Sequence, residues 1–201
     1  LGEDERIVDL LTEPSAEAVA LANDYLATIA AHSQADAAYI VDPQGLTLSA
    51  SNWNLPSSFV GHNYGFRPYF LDAVRTGEGS YYAVGVTTGV PGYFLSARIG
   101  NMTEPLGVAV VKVDMAPLER AWSFAGEMTG LADDAGVVFL TGISEWKYRP
   151  LYTLADADRE VIDSERRYAG IDVAARTPLI TRNLETGTAV PIRIGTDELL
   201  M

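Results

Sequence analysis

The sequence predicts an α+β protein: a long N-terminal helix followed by two tandem units with antiparallel sheets. Three observations carry that reading. Ala18, Leu21, Ala22, Tyr25, Leu26 and Ile29 follow the i, i+3, i+4, i+7 spacing of an amphipathic helix. SYYAVGV, GYFLSARI and GVAVVKVDM are short runs rich in β-branched and aromatic residues, set between Gly- and Pro-bearing turns, as strands are. Finally, AYIVDPQGLTLSAS at 38–51 and TGLADDAGVVFLTG at 129–142 both read as strand, D-x-x-G turn, strand, with Gly45 and Gly136 standing 91 residues apart.

In chain order, residues 1–34 form the N-terminal helix, with Pro14 where a helix begins or kinks. The first unit spans 35–114. Within it Pro68, whose ring presets φ, suits the first turn of a helix running to about Arg75, and GVAVVKVDM at 107–115 reads as a central strand. Asp114 is a candidate N-cap for a linker helix at 115–126, where Leu118, Ala121, Trp122 and Ala125 give a helical stripe. The second unit spans 127–201, with a charged helix over 156–168 and strands near 179–182, 189–194 and 198–201. Moved by the 91-residue repeat, the strand at 105–114 falls on 196–205, so the second sheet is expected to be incomplete in this chain. The chain starts at Leu1 without a signal peptide, and is read as part of something longer.

Composition excludes several classes. A net charge of −13 opposes nucleic acid and anionic membrane surfaces as partners. The absence of cysteine removes disulfides and thiol chemistry, and fits an exported domain. The two histidines, His32 and His62, have no metal-ligand spacing, and neither a nucleophile elbow nor a phosphate loop is present. Asp133 with Asp134, and Asp156 with Asp158, sit where aspartate is ordinary, in turns and at helix starts. The expectation is a non-enzymatic fragment with no metal and no cofactor.

The chemistry concentrates in Tyr64 to Ser96 together with Lys112. Arg67 stands at the start of a helix, where unpaired N–H groups and a planar guanidinium can grip one anionic group together. Lys112 lies in one of the most apolar runs of a chain with only two lysines, the other being Lys147. Between them, Thr87-Thr88-Gly89-Val90-Pro91-Gly92 is a turn able to offer hydroxyls and N–H groups. Each residue has an ordinary reading as well: Arg67 paired with one of 27 acids, Lys112 extended to a sheet edge, the tyrosines in the core, the threonines in turns. Their combination points to a pocket for a small anion, and by the repeat offset Arg67 falls on Asp158, so the second unit repeats no such pocket.

SNWNLPSSFVGHNYGFRPYF, followed by YYAVGVTT, GYFLS and GVAVVKVDM, resembles the extracytoplasmic sensing region of four-carbon-dicarboxylate sensor histidine kinases, a family with a double Cache fold of two PAS-like domains. The similarity runs from about Ala37 to Arg149. It implies a periplasmic, membrane-distal ligand-binding domain at 35–114 and a membrane-proximal PAS-like domain at 127–201. It also implies flanking membrane helices in an inner-membrane parent and a dicarboxylate such as succinate, malate or fumarate as ligand. The family's binding tyrosine, arginine and lysine fall on Tyr64, Arg67 and Lys112, and its loop hydroxyls on Thr87 and Thr88; where it typically reads Gly-Thr-Thr-Ser, this chain has Gly85-Val86-Thr87-Thr88. A valine facing the pocket removes one hydrogen bond to a carboxylate. A homodimer through the helix at about 18–30 is expected, the alternative for that stripe being packing on its own sheet. A chemoreceptor for another carboxylate or an amino acid, and more remotely a periplasmic hydrolase, are the competing readings.

Overall fold

The structure, a computed structural model, describes residues 2, 4–126 and 128–180, and the backbone alone of 191–194 and 197–200. The chain divides into two compact units, residues 1–115 with 165–169, and residues 116–164 with 170–201.

Unit 1 opens with α1 (Glu5–Thr12) and α2 (Ala16–Ser33). The single helix expected over 1–34 is therefore two. Pro14 falls in the break, and each helix has its own cap: Asp4 accepts from the Arg6 N–H, and Ser15 from the Ala18 N–H. β1 (Ala37–Val41), β2 (Thr47–Ala50), α3 (Pro68–Thr76), β3 (Glu78–Val84), β4 (Pro91–Gly100) and β5 (Pro105–Val113) follow. The strands form one antiparallel sheet in the order β2-β1-β5-β4-β3, with β5 at its centre.

Strand alternation divides the core in two. Ala38, Ile40 and Ala109 point to one face, where they meet Ile7 and Leu10 of α1 and Ala22, Leu26 and Ala30 of α2. The stripe on α2 is thus engaged by its own sheet, and Leu21 is left 51% exposed. Tyr39, Val41, Phe94, Val108 and Val110 point to the other face, against Tyr69, Phe70 and Ala73 of α3 and against Phe59 and Tyr64 in the 51–66 loop.

Unit 2 contains α4 (Ala116–Ala125), β6 (Gly130–Ala132) paired with β7 (Val138–Thr141), a 3₁₀ turn (Ser144–Trp146), α5 (Asp156–Ser164) and a hairpin of β8 (Pro191–Ile194) with β9 (Asp197–Leu200). The described residues show two two-stranded sheets here, not a second five-stranded one. Leu179 and Ile180, expected in a strand, donate to the Pro150 and Leu151 carbonyls without strand pairing, and 181–190 lie outside the described residues. The charged helix stops at Ser164 instead of 168, because residues 165–169 join unit 1.

The two D-x-x-G hairpins form alike. Asp42 Oδ1 accepts the Gln44 and Leu46 N–H groups, and Asp133 Oδ1 accepts that of Val137. Gly45 and Gly136 both adopt positive φ, +87° and +77°. At Gly45 a side chain is excluded a second time, since a Cβ there would stand 2.5 Å from the Gly65 backbone.

Candidate functional site

Arg67 is the N-cap of α3 and Pro68 its first residue, so the proline's fixed φ sets the position at which the arginine leaves the loop. Its side chain turns inward and is 1% exposed. Nη1 donates to the main-chain carbonyls of Glu165 (2.9 Å) and Arg166 (3.1 Å), and Nη2 to that of Val84 (3.0 Å). A guanidinium carries five N–H donors, which leaves two uncommitted. No carboxylate pairs with it among the described residues. Burial accordingly pushes its pKa down, an effect countered by the tyrosines around it.

Those two donors belong to a group lining a small cavity on the α3 face of the sheet. Tyr39, Phe59, Tyr64, Tyr69 and Phe94 form its aromatic walls, and Gly85, Val86 and Thr87 its remaining side. The polar groups are sparse and aimed. The Tyr64 hydroxyl bonds Thr87 Oγ1 at 2.6 Å, closing loop against loop, and the Tyr39 and Tyr69 hydroxyls bond each other at 2.8 Å. Burial raises the pKa of all three tyrosines. The enclosed volume is about 10 Å³, on the scale of a single water, where ligand clefts run to hundreds.

The sequence-predicted residues divide accordingly. Tyr64, Arg67 and Thr87 line the cavity together, and Val86 faces it as expected. Thr88 does not: its Oγ1 turns back to accept the Val90 N–H at 3.2 Å, serving the turn. Nor does Lys112. It points to the same face, opposite Phe94 and Ala37, and is 1% exposed, but its Nζ is paired with Asp36 Oδ2 at 2.5 Å. Gly92 gives its stem room, for a Cβ there would lie 2.6 Å from Lys112 Cε. His62 is an exposed loop residue stacked on Tyr64.

One segment escaped the sequence reading. Residues 165–169 lie along β3 as a strap. The Val84 N–H donates to the Arg167 carbonyl at 2.8 Å, and Arg166 takes positive φ (+49°) to present its own carbonyl to Arg67. The Tyr81 hydroxyl donates to the Glu165 carboxylate, while Arg167 reaches that carboxylate (2.8 Å) and the Tyr81 oxygen (2.6 Å). Glu-Arg-Arg at the end of a charged helix carries no signal of this in the sequence.

The charge distribution is lopsided. The chain carries −13, yet the buried charged side chains among the described residues, Arg67, Lys112 and Arg167, are all cations of unit 1. A wider, open groove of about 780 Å³ lies beside β3 and β4 on the α1/α2 side, where Arg75 pairs with Asp72 at 2.6 Å and Arg98 donates through Nη1 to the Val74 carbonyl while its buried Nε has no hydrogen-bond partner among the described residues. The cavity at Arg67, although far smaller, is where a buried cation stands with the Tyr64 and Thr87 hydroxyls among aromatic walls.

Comparison with known proteins gives a consistent picture. The chain is 33% identical over 156 residues to the C4-dicarboxylate transport sensor protein DctB of Rhizobium meliloti, covering 78% of this chain and 25% of that protein. It is 34% identical over 148 residues to the protein of the same name in Pseudomonas aeruginosa, covering 74% and 24%. The chain thus spans about a quarter of the length of these curated relatives. Among solved structures, the sensor domain of the Vibrio cholerae histidine kinase DctB superposes with a TM-score of 0.76 at 30% identity, over 88% of this chain and 67% of that one. The ligand-binding domain of the Pseudomonas fluorescens chemoreceptor CtaA, solved with L-isoleucine, gives 0.56 at 15% identity over 96% and 70%, a likeness of fold alone. No family model matches the chain.

Proposed function

The chain belongs to the family of extracytoplasmic sensor domains of C4-dicarboxylate sensor kinases, and from that premise we propose that it is the periplasmic ligand-sensing region of a transmembrane histidine kinase. Its ligand is a small dicarboxylate such as succinate, malate or fumarate, and its parent a two-component kinase that controls dicarboxylate transport. The observation that carries this reading is the buried Arg67 guanidinium, which has two donors to spare in an aromatic cavity. A carboxylate accepts two parallel N–H bonds from such a fork, and the Tyr64 and Thr87 hydroxyls stand ready to satisfy its remaining lone pairs. Entry of the acid opens the cavity by exchanging the Tyr64–Thr87 hydrogen bond for bonds to the ligand. Lys112, on the same face, takes the second carboxylate.

Among the described residues no acidic side chain lines the cavity, so the α-ammonium of an amino acid would find no counter-charge there; this favours a plain diacid over the amino-acid alternative. Membrane helices on either side belong to the parent in this proposal; among the described residues no helix is long and apolar enough to cross a membrane. A homodimer through α2 has to use the outer face that carries Leu21, because the alanine stripe is already packed.

Thermal-shift measurement across mono-, di- and tricarboxylates tests the assignment. A four-carbon diacid at a hundredfold excess over its Kd should add about 2.7 kcal/mol of stability. Arg67→Ala should abolish most of that gain. An unchanged response in both Arg67→Ala and Lys112→Ala would place the ligand elsewhere.

A further inference from the structure

Lys112 and Asp36 are an unequal pair. The lysine sits at the centre of the sheet and is 1% exposed, whereas the side chain of Asp36, in the connection between α2 and β1, retains 37% exposure. The two are held close by more than their charges: the Asp36 N–H donates to the Lys112 carbonyl at 2.9 Å, continuing the β1–β5 ladder by one residue. The Lys112 stem crosses Gly92, and its cross-strand neighbour Phe94 lines the cavity. A buried ammonium requires an anionic partner; a partly solvated carboxylate does not. Of the two, Asp36 is therefore the one that can leave at low cost, provided another carboxylate takes its place.

We propose that Asp36 is an internal competitor for the ligand's second carboxylate: it holds Lys112 in the ligand-free state and is displaced into solvent when a diacid binds. The inference rests on the reading of the Arg67 cavity as the carboxylate site and adds a determinant of affinity and selectivity to it. The exchange conserves charge at Lys112, one carboxylate for another. A monocarboxylate held by Arg67 has nothing to offer Lys112 and leaves the Asp36 pair intact. The preference for two carboxylates comes from Lys112, while the competitor narrows that preference and keeps the diacid affinity below what the two cations could otherwise deliver.

The test is calorimetric titration of the chain with succinate and with butyrate, in wild type, Asp36→Asn, Lys112→Met and the double variant. If Asp36 occupies Lys112 nine-tenths of the time or more, removing it should tighten succinate binding by about tenfold or more, since apparent affinity scales with the competent fraction. Butyrate affinity should stay at its wild-type value. In the Lys112→Met background the Asp36 substitution should change nothing; tightening there would reduce Asp36 to a general repulsion of anions and overturn the exchange. Where Asp36→Asn fails to fold, wild type labelled at the lysine ε-carbon decides, because the chain has only Lys112 and Lys147. Saturating succinate should move the Lys112 signal and butyrate should not; a Lys112 signal unmoved by succinate overturns the proposal. Wild-type succinate binding that is lost in Arg67→Ala but unaltered in Asp36→Asn refutes the role of Asp36 and leaves the Arg67 site standing. Absence of any wild-type carboxylate binding refutes both.

Discussion

Val86 is the residue at which this cavity differs most plainly from one built only of donors. It packs against the aromatic cluster and lines the cavity beside Thr87, presenting methyl groups where a hydroxyl would meet a bound carboxylate. Val86→Thr is nearly isosteric but adds one donor, so it should have opposite effects in the two states. With ligand the new hydrogen bond contributes about 1 kcal/mol, roughly a fivefold gain in succinate affinity. Without ligand the same hydroxyl is partly buried against aromatic rings and should destabilise the fold by about 1 kcal/mol. Calorimetry and thermal melting of one protein check both signs; a loss of affinity would mean that Val86 does not face the carboxylate. At this scale Arg67 was legible, because proline at a helix start leaves few places for the preceding side chain to go. The burial of Lys112 was also legible, from a lysine in a β-branched run. Its partner was not: an aspartate between a helix and a strand is ordinary in any sequence, and only the register that sets Ala37 opposite Lys112 brings Asp36 to it. Thr88 stands outside the cavity lining because adjacent residues in a turn point apart, and sequence gives no phase to a turn.

The strap at 165–169 is the element that most alters how the site is understood. Three of its residues meet the cavity's supporting shell: Glu165 and Arg166 through Arg67, and Arg167 through Tyr81 and the Val84 N–H. Arg67 thus anchors three pieces at once, the start of α3, the end of β3 and the strap. Tyr81→Phe removes a hydroxyl that donates to Glu165 and accepts from Arg167. As hydrogen bonds to charged groups contribute about 1.5–3 kcal/mol, the strap should open more readily by an amount in that range. Hydrogen exchange of the peptide spanning 161–170 should quicken by about tenfold or more, with β1 and β5 unchanged; unchanged exchange in the strap would show that the Tyr81 bonds do not hold it. The elements beside it show why it was missed. The break at Pro14, the start of α3 and the central strand β5 follow from local rules: proline geometry and β-branched runs. The strap follows none, because Glu-Arg-Arg favours helix locally and the tertiary bonds to Arg67 and Tyr81 override that preference. The second hairpin was legible for the same local reason as the first, since its D-x-x-G turn forms in the same way at Asp133 and Gly136.

Across the whole molecule the ionisable groups are sorted by sign: acids in excess outside, and cations with a tyrosine network inside unit 1. Tyr39 and Tyr69 are each 1% exposed and hydrogen-bonded to each other; burial raises the pKa of both, and of Tyr64 and Tyr81 with them. The sign of the resulting pH dependence follows from linkage. A tyrosine whose folded pKa lies above its unfolded value, near 10, keeps its proton in the folded state after the unfolded chain has released it. Its contribution to stability is complete below about pH 10 and is lost as the pH rises further, at about 1.4 kcal/mol per pH unit for each such group. Two fully buried tyrosines acting together make that decline steep, and the repulsion among the surface acids, already ionised, adds a constant bias toward expansion. Alkaline unfolding of unit 1 should therefore begin above pH 10, and the tyrosinate absorbance should rise in two stages. Tyr39, Tyr64, Tyr69 and Tyr81 should titrate only in the second, with the loss of far-ultraviolet circular dichroism. If succinate occupies the folded cavity as proposed, saturating succinate should delay the second stage. A single ordinary titration of all ten tyrosines with the fold intact would show that the cavity is open to water and that its walls are not the buried network described.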